Sequence, residues 1–296
     1  MKHSILIILL VSLMFGLSAE VIPEQQSAPL IRNDEAPAVR YWSTRDQDLL
    51  PVQTLVGFDT PSQVPPRKDP KLLVVLYHNI VFGRTGNVYN RDLYNFEHDL
   101  AFLKRNFTIT NFRAILNGTS LAKTDQVIIT FDDGDLSIYA IVYPLFRQYE
   151  LEATIFLVPN FIGEVGYMSW DQIREMSDYR TSSGRKLFFF ESHSLTHRMM
   201  AELSVEEIRH ELQASKQIIE EQTGEPVTVL ALPFGNGAGE SKIINEARNA
   251  GYQAIRTSIA EVVPTKSIHA WSIGAMNVEN YSTDVFVQKV LALTGR

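Results

Sequence analysis

The chain contains no cysteine. No disulfide can staple it and no thioether-linked lipid can anchor it, so its stability has to come from an apolar core, which 296 residues are long enough to build. An excess of basic residues is also lacking: 27 Lys and Arg stand against 34 Asp and Glu, for a net charge of −7. Nucleic acid is therefore not an expected partner, whereas a neutral or cationic polymer is tolerated. Internal repeats and low-complexity tracts are absent. No apolar run reaches the roughly 20 residues of a membrane span. The longest, Ile5–Leu13, is broken only by Ser12. Lys2 precedes it and Gly16, Ser18 and Ala19 follow, the pattern of an export signal cleaved after Ala19, with Ser18 the second choice. The expectation is an exported protein, periplasmic or extracellular at the cell envelope. An uncleaved signal anchor is the one membrane attachment left open.

Proline is unevenly spent. Eight of the 13 prolines fall within residues 20–70, which read as a spacer or a strap across the domain. Residues 71–296 are then enough for one α/β barrel domain and no second. Short apolar runs alternate there with helical patterns. Strands are expected at Leu72–Tyr77, Gln126–Phe131, Ala153–Val158, Lys186–Phe190, Val227–Leu232, Gln253–Arg256 and Ile268–Ser272. Helices are expected at Asp92–Arg105, Leu136–Tyr149, Ser169–Ser177, Val205–Gln222, Glu240–Ala250 and Thr283–Leu293. Ser204 and Glu207 make a capping box for the fourth, and Gly224 with Pro226 ends it. Phe82, Phe96, Phe102, Phe107 and Phe188–Phe190 are assigned to the core. The fold class is α/β, an incomplete, distorted parallel (β/α) barrel of about seven strands.

Polar residues break in where strands end. Ile129-Thr-Phe-Asp-Asp-Gly-Asp135 is an apolar strand closing on two carboxylates and a glycine. Adjacent side chains leave a strand in different directions, so one carboxylate can bind a metal while the other moves a proton. Adjacent aspartates before glycine can also form a plain turn. The sharper reading gains from His193-Ser-Leu-Thr-His197, again after an apolar run. Four-residue spacing would put both imidazoles on one side of a helical turn begun at Ser194. One carboxylate and two histidines form a three-ligand hydrolytic set with a position open for water. His78 follows the first strand and Pro233-Phe-Gly235 the fifth. A lone histidine at a strand end can equally bond a carbonyl. In barrels of this class, however, loops at the carboxyl ends of strands meet around one pocket.

Together these residues resemble the polysaccharide deacetylases of carbohydrate esterase family four, with the nodulation-type deacetylase domain. ITFDDGD stands where the family has Thr-Phe-Asp-Asp-Gly, and HSLTH fits its His-Ser/Thr-x-x-His motif. Leu232–Gly235 looks like the third motif, usually Arg-x-Pro-Tyr, but the arginine position is Ala231. That departure, the early Tyr-His-Asn-Ile and the Ser169-Trp-Asp-Gln172 segment are similar to the branch that deacetylates poly-N-acetylglucosamine. The resemblance implies Asp133, His193 and His197 as ligands of a divalent metal, zinc first, with cobalt, nickel or iron(II) not excluded by the donors. It implies Asp132 as general base, His78 as general acid in place of the late family histidine this chain lacks, and the Phe234 backbone N–H for the oxyanion. Trp170, Phe234 and Tyr77 are candidates for sugar contacts. The implied reaction is hydrolysis of N-acetyl groups on an N-acetylglucosamine-containing polysaccharide, with release of acetate. Peptidoglycan or chitin N-deacetylation and polysaccharide O-deacetylation are rival substrates. A non-catalytic sugar-binding protein on the same fold is the rival of another class.

Overall fold

The structure, a computed structural model, describes residues 64–83, 85–118 and 123–296. The expected signal and most of the proline-rich stretch lie outside the described residues. The strands are β1 (Lys71–Tyr77), β2 (Asn79–Val81), β3 (Asn90–Asp92), β4 (Thr108–Thr110), β5 (Gln126–Phe131), β6 (Ala153–Leu157), β7 (Phe188–Ser192), β8 (Val229–Ala231), β9 (Ala254–Arg256), β10 (Val263–Pro264) and β11 (Met276–Asn277). The helices are α1 (Leu93–Asn106), α2 (Phe112–Leu116), α3 (Tyr143–Tyr149), α4 (Trp170–Asp178), α5 (Val205–Thr223), α6 (Ser241–Asn249) and α7 (Thr283–Thr294). Seven strands of a nine-stranded sheet form a curled half-barrel in the order β10-β1-β5-β6-β7-β8-β9, with β4 added beside β5 and β11 beside β1, and every pair is parallel except β1 with β10.

Burial on both faces explains the continuous apolar runs of the inner strands. Alternate residues of β1 enter two separate clusters. Leu73, Val75 and Tyr77 pack with Phe96, Leu100 and Phe286 of the covering helices. Leu72, Val74 and Leu76 face Ile128, Phe156, Val229, Ala231 and Ala254 on the concave side. This parity assigns each strand-end residue either to the helices or to the site.

One expected strand is displaced. Ile268–Ser272 forms no strand, because turns such as Ser272 N–H to His269 O (3.0 Å) interrupt it. Pairing resumes at Ile273, whose N–H donates to Ile255 O at 2.9 Å, and at β11, which runs parallel to β1. The stretch after β10 therefore meets β9 at one end and β1 at the other. Phe82 is 52% exposed rather than in the core.

Local signals set the helix starts. Asp92 caps α1, and the Ser204–Glu207 box caps α5 with both reciprocal bonds formed. A π-helical turn, Ile138–Val142, precedes α3 directly behind the paired aspartates. Far from these aspartates, Asp125 before β5 accepts from Arg67 and Arg296, each at 2.7 Å. Among the described residues no helix is long and apolar enough to cross a membrane.

Candidate active site

The carboxyl ends of β1, β5, β7, β8 and β9 bring His78, Asp132 with Asp133, His193 with His197, Phe234 and Arg256 into one neighbourhood. The backbone is strained to do so. Among the described residues five non-glycines have positive φ, and four are here: Asp133 (70°), Ser194 (64°), His197 (61°) and Phe234 (58°). Left-handed backbone costs such residues of order 1–3 kcal/mol each and persists only where its surroundings impose it. The two histidines are thus brought together by a left-handed loop, not by the helical turn their spacing suggests. Glu211 of α5 secures that loop, accepting at 2.9 Å from both Leu195 N–H and Thr196 N–H and also from the Thr196 hydroxyl. Gly134 turns at φ 87°, where a Cβ would lie 2.9 Å from Ile162 Cδ1.

Asp133, His193 and His197 each offer one donor atom, and the three atoms lie within 4.8 Å of one another. Asp133 Oδ1 stands 3.6 Å from His193 Nε2 and 3.4 Å from His197 Nε2. That oxygen is buried with no hydrogen-bond partner. His193 Nδ1 lies 2.9 Å from Ala231 O, so Nδ1 carries the proton and Nε2 presents its lone pair. Burial drives the His193 imidazole down to about 3, against the pull of Asp132, and this keeps it neutral. An orphaned carboxylate oxygen facing two neutral imidazole nitrogens fits a divalent cation.

Asp132 is held differently. Both of its carboxylate oxygens accept from Arg256 Nη2 inside the sheet. Burial acts to raise the Asp132 carboxyl, but the Arg256 guanidinium, assisted by His193 and His78, outweighs it and holds the group below the usual carboxylate range. Burial and the Asp132 charge push its neighbour Asp133 up to about 6. Two adjacent carboxyls thus differ in character, as separate roles require. Arg256 was not anticipated as a site residue. The available signal was an arginine closing an otherwise apolar strand, since a buried charge needs a partner.

The remaining candidates separate. His78 is half-buried, its charge acts on both aspartates, and its ring lies 4.8 Å from that of Tyr89. Phe234 is 60% exposed, with its ring 4.5 Å from His197, so it can offer an aromatic face beside the three donor atoms. Trp170 opens α4 half-buried against the core. Tyr77 is a correction. Its side chain is fully buried on the helix-covered side, stacked near Phe131 at 5.7 Å and bonded to Asp99 at 3.2 Å, and no face is left for a sugar.

Residues 121–255 match the family described as polysaccharide deacetylase. YxkH of Bacillus subtilis (strain 168), whose name refers to the same family, is 29% identical over 199 residues, covering 66% of this chain and 67% of YxkH. A poly-β-1,6-N-acetyl-D-glucosamine N-deacetylase of Staphylococcus aureus (strain MRSA252) is 28% identical over 180 residues, covering 51% of this chain and 59% of its own length. The match thus spans less than two thirds of the staphylococcal enzyme. The crystal structure of a Bacillus cereus polysaccharide deacetylase superposes with a TM-score of 0.64 at 24% identity, over 75% of this chain and 69% of that one. At that identity the likeness concerns the fold.

Proposed function

As a member of the polysaccharide deacetylases, this chain is, we propose, a metal-dependent hydrolase that removes N-acetyl groups from an extracytoplasmic N-acetylglucosamine-containing polysaccharide and releases acetate. The observation that carries the reading is the division of labour between two neighbouring aspartates. One is kept charged by a buried guanidinium, and the other points an orphaned oxygen at two imidazoles. The N-terminal signal pattern supports the extracytoplasmic location, and the staphylococcal relative supports the amino-sugar substrate.

Asp133, His193 and His197 would hold the cation, zinc first among metals these donors accept, and it would supply the Lewis acidity that activates water at neutral pH. Asp132 then takes the proton of the attacking water as general base. Arg256 keeps Asp132 ionised and fixes its oxygens, the task left open by alanine at position 231. Negative charge growing on the acetamide oxygen is met by the Phe234 N–H. His78 delivers a proton to the departing sugar nitrogen, which cannot leave as an anion. The Phe234 ring forms one wall for the sugar, while Trp170 supports the cleft from the core side.

The test joins metal analysis to acetate release from acetylated glucosamine oligomers of different linkage. Release from the β-1,6-linked oligomer by zinc-loaded protein supports the proposal. Preference for β-1,4-linked oligomers or for O-acetylated polymer would move the substrate to the rival classes. Binding of oligomer without any acetate release would leave the non-catalytic reading in its place.

A further inference from the structure

We propose that Tyr89 is the positioning residue of His78, holding the imidazole by ring packing where, among the described residues, no carboxylate or carbonyl holds it by a hydrogen bond. The inference rests on the proton-donor role assigned to His78 above. A histidine that delivers protons is ordinarily oriented through its second ring nitrogen, bonded to a carboxylate or a backbone carbonyl. His193 follows that rule through Ala231 O. His78 does not: its Nδ1 is buried with no hydrogen-bond partner. What touches the ring is Tyr89, with centroids 4.8 Å apart and planes tilted by 54°.

The tyrosine is fixed in turn. Its N–H donates to Asn87 Oδ1 at 2.9 Å, and its carbonyl accepts from Asn79 N–H, the residue after His78, at 3.3 Å. Asn79 and Asn90 are ladder partners whose side chains also bond, at 3.0 Å. Asn280 N–H donates to Val88 O at 3.0 Å, tying the same loop to the segment after β11. Both rings therefore ride on chain segments bonded to each other, so the backbone of Tyr89 cannot move away from His78 without breaking those bonds. An aromatic face within about 6 Å also favours a cation, so the packing supports the protonated imidazole that a donor must be. Tyr89 is 46% exposed. A sugar stacked on it without any tie to His78 would be a simpler role, and that alternative predicts a different kinetic signature.

The experiment compares wild type, His78→Ala, Tyr89→Phe and Tyr89→Leu on a β-1,6-linked N-acetylglucosamine oligomer and on 4-nitrophenyl acetate. The ester's leaving group needs little protonation, so a defect confined to proton delivery spares it. Tyr89→Leu is expected to lose about tenfold in kcat on the oligomer, with KM and ester hydrolysis within about twofold of wild type and metal content unchanged. Tyr89→Phe is expected to retain wild-type values. A loss carried by KM, an equal loss on both substrates, or no loss overturns the proposal. If His78→Ala itself loses equally on both substrates, the donor assignment fails, a result separable from failure of the positioning role alone. A crystal structure of Tyr89→Leu decides the point independently of any substrate. His78 in an altered or multiple rotamer supports the inference, and an unmoved ring refutes it.

Discussion

Arg256 stands directly across the β8–β9 ladder from Ala231, the position where the family motif carries its arginine. Its Nη2 reaches both oxygens of Asp132, and both side chains of this ion pair are nearly inaccessible to water. The guanidinium that holds the proposed general base is thus supplied one strand further along, on the same rung. An apparent gap in the motif is filled by the sheet.

The exchange can be tested as an exchange. Arg256→Ala leaves a buried carboxylate without its partner, which typically costs about 3–5 kcal/mol. Acetate release should fall by about 10²–10⁴-fold if Asp132 is the base it orients. Ala231→Arg combined with Arg256→Ala returns a guanidinium to the neighbouring strand and should recover at least about a tenth of the lost rate on that scale. Denaturant unfolding and initial rates on the three proteins measure both effects. Wild-type turnover in Arg256→Ala would remove the residue from the site.

Metal and base should come apart by mutation. Asp133→Ala and His193→Ala are expected to lose bound metal and activity together, whereas Asp132→Asn keeps the metal and loses turnover. Chelation should abolish activity and zinc should restore it. Zinc at 100 times its dissociation constant should stabilise the wild type by about 2.7 kcal/mol and His193→Ala hardly at all. Full metal content in Asp133→Ala and His193→Ala, measured by elemental analysis, would refute the ligand assignment.

What the chain reveals by itself is local. Asp132, Asp133, His193 and His197 are legible because each pair follows an apolar run, and a run of that kind ends at the mouth of a parallel sheet. The seven-strand fold was legible for the same reason, except at Ile268–Ser272, where turns rather than composition decide the pairing. Arg256 was harder to read, since its partner depends on how β8 and β9 are registered. Glu211 reads as an ordinary polar position of α5 until the histidine loop folds onto it. The left-handed backbone at Asp133, Ser194 and His197 falls on residues other than glycine, so nothing in composition marks it. Tyr77 was within reach: period-two alternation puts it opposite His78 in direction, and the two cannot share a face.

Glu211 carries a prediction of its own. Its carboxylate satisfies two backbone N–H groups and one hydroxyl of the segment that ends in His197. Glu211→Ala frees that segment and leaves buried donors unpaired. Zinc affinity should fall by about 10–100-fold, the usual effect of losing such support behind a ligand. Glu211→Gln keeps an acceptor oxygen and should fall less. Competition titration with a zinc chelator measures both, and unchanged affinity in Glu211→Ala would show that the loop holds its shape unaided.

Glu97 of α1 should make the fold sensitive to alkali. Its side chain is buried and neither carboxylate oxygen has a hydrogen-bond partner. Burial pushes the group up to about 9 from an ordinary 4.5. Folded protein therefore keeps a proton that the unfolded chain has released, and stability falls as pH rises from about 4.5 towards 9. Asp99 and Glu191, each raised to about 7 by burial, act with the same sign over a narrower range. Glu97→Gln cannot ionise, so the variant shares their contribution and lacks only its own. Its stability relative to wild type should rise steadily with pH from about 5 towards 9, because the contributions of Asp99 and Glu191 cancel in the comparison. Urea unfolding of both proteins at pH 5, 7 and about 8.5 reads the difference. Parallel curves would mean that the folded protein ionises Glu97 without penalty, which requires water or a partner at its oxygens.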